Sequence, residues 1–153
     1  SCSVPEAYDW TRFGASGGPF AEAYVISHEY AHHIQHILGR LNELHGLHGK
    51  VSKKEYNQQS VRVELQADFL AGVFANHADT TFANFLEAGD IEEAMNAANQ
   101  IGDDAIQSRT QGRITPHAFT HGTSEQRMRW FNRGLQSGTI DEGDTFKMAY
   151  DSL

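Results

Sequence analysis

Two histidines and a glutamate stand in the order His28-Glu29-Tyr30-Ala31-His32. Positions i and i+4 share one face of a helix, so both imidazoles can converge on a single metal ion. The Glu29 carboxylate, beside the first imidazole, can reach a metal-activated water without ligating the ion. A Lewis acid that lowers the pKa of water and a carboxylate that takes its proton are the groups that metal-assisted hydrolysis requires.

Two acids further along the chain, Glu64 and Asp68, have the same i, i+4 spacing inside an otherwise apolar helical pattern. A catalytic zinc ion usually has three protein ligands and an open fourth position. Glu64 is therefore the candidate third ligand, and Asp68 the candidate acceptor for an imidazole N–H of a ligand histidine. In the alternative interpretation, both acids simply face solvent.

Helical periodicity of apolar residues accounts for most of the chain, which predicts a mainly α protein. The region 1–19 is predicted to be an irregular lead-in, and 139–153 a short acidic tail. Thr123 and Gln126 have the Thr-x-x-Gln form of a capping box, which predicts a helix start. Longer helices are predicted over 20–38, 56–76, 91–101 (with Asp90 as N-cap) and 124–138, and shorter ones over 41–47, 82–86 and 103–109. No repeat or linker is visible, so 1–153 is predicted to be one domain.

Composition excludes several classes of protein. Apolar residues make up 39% and charged residues 21% of the 153 residues, which excludes wholesale disorder. The net charge of −8 and the lack of a basic stripe argue against nucleic acid as a partner. A single cysteine, Cys2, excludes a disulfide scaffold and a cysteine-rich zinc module. No apolar run of about eighteen residues is present, so no membrane span is predicted.

Three ordered blocks resemble the bacterial neutral zinc metallopeptidase family: His28-Glu29-x-x-His32-His33-x-Gln35, Glu64-Leu65-Gln66-Ala67-Asp68, and the segment 119–127 around His121. The resemblance runs from about Phe13 to Gly138, and the Glu-x-x-x-Asp block is similar to that of the gluzincins. It implies Zn²⁺ bound by His28, His32 and Glu64, with Glu29 as general base and Asp68 orienting the first histidine. It also implies a zincin-like catalytic domain with little or no N-terminal sheet, cleaving peptide bonds as an endopeptidase.

His121 lies in a glycine-flanked loop directly before the predicted last helix. In a hydrolytic site, a histidine there could donate a hydrogen bond to a developing oxyanion. Its alternative role is to cap or pack against the helix start, and the family resemblance favours the catalytic role. Arg127 and Arg129 are predicted to be surface charges, with pairing to a site carboxylate as the alternative for Arg127.

Two other functions are compatible with the sequence. A zinc-binding helical domain without catalysis is favoured by the short stretch before the first helix, which leaves little room for a substrate-binding strand. A helical interaction module with a fortuitous motif is the other alternative. For the peptidase, the partner is a peptide or protein substrate, and the resemblance suggests an extracytoplasmic protein or a precursor with an N-terminal membrane anchor.

Overall fold

A computed structural model describes residues 19–82 and 86–153 of the chain. These residues form α-helices and two short 3₁₀ turns, with no β-strand among them, so the predicted mainly α class is confirmed. The helices are α1 (Pro19–Ile37), α2 (Arg40–Gly46), α3 (Lys53–Thr81), α4 (Ala88–Gln100), α5 (Asp103–Gln111) and α6 (Ser124–Ser137). No helix within the described ranges is long and apolar enough to cross a membrane.

Helix α3 is the central element, and it is longer at both ends than the apolar pattern predicts. Its polar first turn forms because the Ser52 hydroxyl accepts a hydrogen bond from the backbone N–H of Glu55, at 3.1 Å. Two apolar clusters flank this helix. One packs α3 against α1, α4 and α6 around Tyr24 and Phe131, and the other packs it against α6 and the chain end around Phe69 and Trp130. A helix with apolar contacts on two sides is held rigidly, which suits it to carrying site residues.

Helices α3 and α6 cross at two glycines, which allow their backbones to touch. A Cβ atom on Gly72 would lie 2.0 Å from the carbonyl oxygen of Phe131, and one on Gly134 would lie 2.0 Å from that of Phe69. Only hydrogen atoms fit at these points. The close crossing therefore fixes how α6 projects its side chains toward α3.

We expect Gly134→Ala to lower the free energy of unfolding by about 1–3 kcal/mol, because the added methyl group forces the two backbones apart. Urea denaturation measures the loss. Gly46→Ala is the matched control: that glycine is also helical but has open space around its Cβ position, so the substitution stabilises by up to about 1 kcal/mol through helix propensity. Equal effects of the two substitutions would show that the crossing is not tightly packed.

The structure corrects one expectation about the chain and confirms another. Asp90 is not the N-cap of α4: Glu87 caps the helix, and Asp90, three residues later, accepts from the backbone N–H of Glu87 at 2.8 Å. Within the predicted tail 139–153, Thr145 is fully buried and its hydroxyl donates to the carbonyl of Arg62. The Thr123 capping box is present. The predicted 82–86 helix lies largely outside the described residues.

Candidate metal centre

Helices α1 and α3 bring three potential metal ligands together. Nε2 of His28 lies 3.0 Å from Nε2 of His32, one helical turn further along α1. The Oε2 atom of Glu64, projecting from α3, lies 3.1 Å from the first of these nitrogens and 3.4 Å from the second. Within the described part of the chain, His28, His32 and Glu64 are the histidine and acidic side chains that lie close enough together to hold a metal ion.

The size of this triangle matches the requirements of zinc. Bonds of about 2.0–2.2 Å at tetrahedral angles separate neighbouring ligand atoms by about 3.3–3.5 Å, close to the observed 3.0–3.4 Å. Two imidazole nitrogens and one carboxylate oxygen are also a ligand set that catalytic zinc ions use. His28, His32 and Glu64 therefore fit a zinc ion both in chemistry and in spacing.

The hydrogen bond at the other ring nitrogen of His28 determines which of its atoms is free to ligate. Its Nδ1 lies 2.8 Å from Oδ1 of Asp68, which is fully buried and accepts hydrogen bonds. A neutral His28 therefore carries its proton on Nδ1 and directs the lone pair of Nε2 toward Glu64. This is the role that the sequence suggested for Asp68, and the structure places the two groups in contact.

The charges around the triangle favour a positive charge at its centre. Burial alone would lower the pKa of His28, but the charge of Asp68 and hydrogen bonds to Asp68 and Glu64 raise it to about 9. Burial would raise the pKa of Glu64, yet hydrogen bonds and charges from His28 and His32 hold it well below its ordinary value. A proton on His28 supplies the positive charge that these groups stabilise, and a metal ion bound here would have to displace it.

Asp68 is the centre of a buried polar network that extends beyond the histidine. Both of its oxygens accept from Arg127, at 2.8 Å from Nε and 3.2 Å from Nη2, and Oδ1 also accepts from the Tyr24 hydroxyl. Burial alone would raise the pKa of Asp68, but the charges of Arg127 and His28 lower it to about 2. The network keeps Asp68 ionised although no solvent reaches it.

Arg127 is not a surface charge, and the first of its two sequence interpretations is wrong. Only 2% of the residue is exposed, and its guanidinium lies against Asp68 and donates to the carbonyl of Ile101 at 3.3 Å. Pairing with a site carboxylate, the alternative interpretation, is what the structure shows. Arg129 is exposed and pairs with Glu125 one turn away, as expected of a helix-surface charge.

The remaining polar residues of α1 lie outside the triangle. Glu29 is exposed to solvent, next in sequence to the buried His28. His33 and His36 are also exposed. Gln35 is buried and contacts His32, a role that its presence in the motif had not suggested.

His121 lies in a loop that is tied to the helix carrying Glu64. The Ser60 hydroxyl, one turn before Glu64 on α3, donates to the carbonyl of Thr120 at 2.9 Å. The negative charge of Glu64 contributes to raising the pKa of His121, after the larger effect of a hydrogen bond to Asp103. The His121 side chain is half exposed. The loop of His121 is therefore attached to α3 one turn before Glu64, and its side chain remains open to solvent.

Asp103, at the start of α5, organises this loop and was missed in the sequence. One of its oxygens, Oδ2, accepts from the successive backbone N–H groups of Thr120, His121 and Gly122, at 2.7–3.0 Å. Its other oxygen lies 3.3 Å from Nδ1 of His121. The only signal in the sequence is an acid after Gly102, which is equally typical of an ordinary first helical turn.

We expect Asp103→Asn to lower the pKa of His121 in the zinc-free protein, because the variant loses the hydrogen bond and charge that raise it. In the wild-type protein the folded-state pKa of His121 is raised above its ordinary value of about 6.5. The hydrogen bond to Asp103 therefore stabilises the fold fully below this pH, and this stabilisation is lost as the pH rises through the folded-state pKa. NMR titration of the imidazole measures the shift. Asp104→Asn is the control, because Asp104 bonds to Ser124 and not to His121; an equal shift in both variants would contradict the assignment.

Comparison with known proteins agrees with this geometry. Residues 8–146 match the model of the family described as "Putative neutral zinc metallopeptidase", and the chain belongs to this family. It is 47% identical over 135 residues to the uncharacterized protein YpfJ of Escherichia coli, covering 88% of this chain and 46% of that protein. It is also 45% identical over 148 residues to uncharacterized proteins of Mycobacterium bovis and Mycobacterium tuberculosis, covering 91% of this chain and 48% of each.

The chain thus spans about half the length of the curated relatives it matches. No solved structure matches it. The family model includes all the residues of the triangle and the His121 loop. Family membership supports a zinc hydrolase in general terms, and the chemistry of the individual residues has to be argued from their geometry.

Proposed function

We propose that this chain is the catalytic domain of a zinc-dependent peptidase, with a zincin-like arrangement of its active-site helix. The observation that carries the proposal is the convergence of Nε2 of His28, Nε2 of His32 and Oε2 of Glu64 within 3.0–3.4 Å of one another. The hydrogen bond between Nδ1 of His28 and Asp68 supports the proposal, because it leaves Nε2 of His28 free to ligate. The proposed substrate is a peptide or protein chain, cleaved as by an endopeptidase.

Zinc bound to these residues supplies Lewis acidity, which lowers the pKa of a water molecule to about 7 and polarises a peptide carbonyl. Glu29 is the proposed general base. It follows His28 directly and is exposed, so its carboxylate is accessible to water and to a substrate. Glu29 accepts the proton of the attacking water and returns it to the amine that leaves when the C–N bond breaks.

His121 is proposed to stabilise the negative charge that develops on the carbonyl oxygen. With Nδ1 directed to Asp103 and Thr120, the imidazole has Nε2 available for substrate, and the protonated ring donates a hydrogen bond from that atom. The raised pKa of His121 keeps this donor form populated at higher pH than in an ordinary histidine. Asp103 contributes by fixing both the loop and the ring.

We expect the purified protein to bind about one zinc ion per chain and to cleave a mixed fluorogenic peptide library. A chelator abolishes cleavage and added zinc restores it. In Glu64→Ala, loss of the third ligand removes most of the zinc at equal concentrations, whereas Glu55→Ala, an exposed acid on the same helix, retains it. Elemental analysis and the fluorescence assay measure the two properties separately.

The possible outcomes separate the candidate functions. Protein that binds no zinc after zinc-supplemented refolding contradicts the whole proposal. Zinc binding that Glu64→Ala leaves unchanged contradicts the ligand assignment. Full zinc loading without cleavage of any library member supports the alternative of a zinc-binding helical domain without catalysis.

A further inference from the structure

Gln35 is one of the most deeply buried polar side chains of the described chain, with only 1% of the residue exposed. It lies one turn after His32 on α1, at the contact with α3. Its Oε1 atom lies 2.8 Å from Nδ1 of His32, and its Nε2 atom lies 2.9 Å from the carbonyl oxygen of Val63 and 3.0 Å from Oε1 of Gln66. A single amide thus joins a candidate zinc ligand to the helix that carries Glu64.

The partners of Gln35 determine which way its amide points. A backbone carbonyl only accepts hydrogen bonds, so the group facing Val63 must be the NH₂ of Gln35. The amide oxygen then faces His32. Because this oxygen also only accepts, Nδ1 of His32 must carry a proton, and in the neutral ring Nε2 carries a lone pair.

We propose that Gln35 is a positioning residue for zinc, which holds His32 by Nδ1 so that Nε2 is presented to the ion. The inference rests on the zinc site of the proposed function. Both candidate zinc-ligating histidines then have a hydrogen-bond acceptor at Nδ1, a charged one for His28 and a neutral one for His32. Metal-ligating histidines generally need such a partner, and its loss typically weakens metal binding about 10–100-fold.

The side-chain type also follows from the surroundings. A carboxylate at position 35 could accept from His32, but it would place a negative charge against the carbonyl of Val63 and Oε1 of Gln66. An amide accepts on one side and donates on the other, so it satisfies both helices. Gln35 therefore also sets the spacing between the histidine pair on α1 and Glu64, which follows Val63 directly.

The test compares two variants that each replace a buried amide by an apolar side chain of similar size. Gln35→Met removes the contact with His32. Asn57→Leu removes an amide on α3 that donates to the carbonyl of His117 at 3.1 Å and does not contact the candidate ligands. We expect Gln35→Met to weaken zinc binding about 10–100-fold, and Asn57→Leu to leave the affinity within a factor of about three. Competition with a chromophoric chelator measures the affinity, and urea unfolding of the zinc-free proteins measures stability.

A second measurement uses the unmodified protein and so does not depend on how well the variants fold. In ¹⁵N–¹H spectra of the zinc-loaded protein, His32 should show a hydrogen-bonded proton on Nδ1, protected from exchange. Equal zinc affinities of Gln35→Met and Asn57→Leu would overturn the inference while leaving the zinc site intact. A proton on Nε2 of His32 would overturn the inference together with the assignment of that atom as a zinc ligand. A wild-type protein that binds no zinc would instead contradict the proposed function itself.

Discussion

We expect Glu29→Gln to abolish the proposed peptide hydrolysis and to leave zinc bound. Glutamine keeps the length of the side chain and one carbonyl oxygen, but it cannot accept the proton of the attacking water. A general base typically contributes about 10²–10⁴-fold to the rate, so the loss of kcat/KM is far outside assay error. Because Glu29 is exposed and is not part of the ligand triangle, zinc content should not change.

The control for this prediction is Glu22→Gln, the same substitution at another exposed glutamate of α1. It should retain both zinc and activity. Loss of zinc from Glu29→Gln would mean that Glu29 is itself a ligand or holds the site together. Retention of full activity would mean that another group takes the proton, and the proposed mechanism would not operate.

Arg127→Met is expected to lower the free energy of unfolding by about 3–5 kcal/mol, the usual loss when one partner of a buried ion pair is removed. Asp68 is fully buried, and the charge of Arg127 is the largest of the effects that lower its pKa. Without the guanidinium, the carboxylate must remain charged without a full counter-charge or take up a proton. Either change also weakens its hold on His28, so zinc affinity should fall as well.

The stability difference between the wild-type protein and Arg127→Met should depend on pH. In the wild-type protein, the lowered pKa of Asp68 stabilises the fold at every pH above its ordinary value of 3.8, and the stabilisation is lost as the pH falls toward about 2. In Arg127→Met the pKa of Asp68 rises, so the deficit relative to wild type is present at neutral pH and shrinks in acid. Urea unfolding at several pH values measures it.

Arg129→Met serves as the matched control, since Arg129 lies on the same helix but is exposed, where it pairs with Glu125 and donates to the carbonyl of Leu153 at 2.8 Å. Surface ion pairs contribute about 0–1 kcal/mol, so this loss should be much smaller. The double variant Arg127→Met, Asp68→Asn should recover part of the deficit, because a neutral amide needs no counter-charge. A deficit as small as that of Arg129→Met would show that the buried pair is not a major source of stability.

Local features of the site could be predicted because helical geometry determines them. The i, i+4 spacing of His28 and His32 requires only that α1 be helical, and the capping box at Thr123 acts within a single turn. The same regularity made Glu64 and Asp68 recognisable as a pair. These expectations needed no knowledge of which helices meet.

The prediction about Arg127 failed because the local pattern cannot tell a buried arginine from an exposed one. Arg127 and Arg129 stand two positions apart on α6, and neither is marked by its neighbours. Arg127 reaches Asp68 only because α6 crosses α3 at the close contact of Gly72 and Gly134. The direction of a side chain with respect to a distant helix depends on that crossing.

The sequence by itself determined the helical class, the histidine pair with its neighbouring glutamate, and the acids able to complete a zinc site. Only the tertiary structure decided that Glu64 meets the two imidazoles, and that Gln35 and Asp68 hold them from behind. The tertiary structure also decided that Asp103 accepts hydrogen bonds from the backbone of the loop that carries His121. The physical reason is separation along the chain: helical periodicity specifies positions a few residues apart, whereas contacts between helices arise from packing of the whole apolar core.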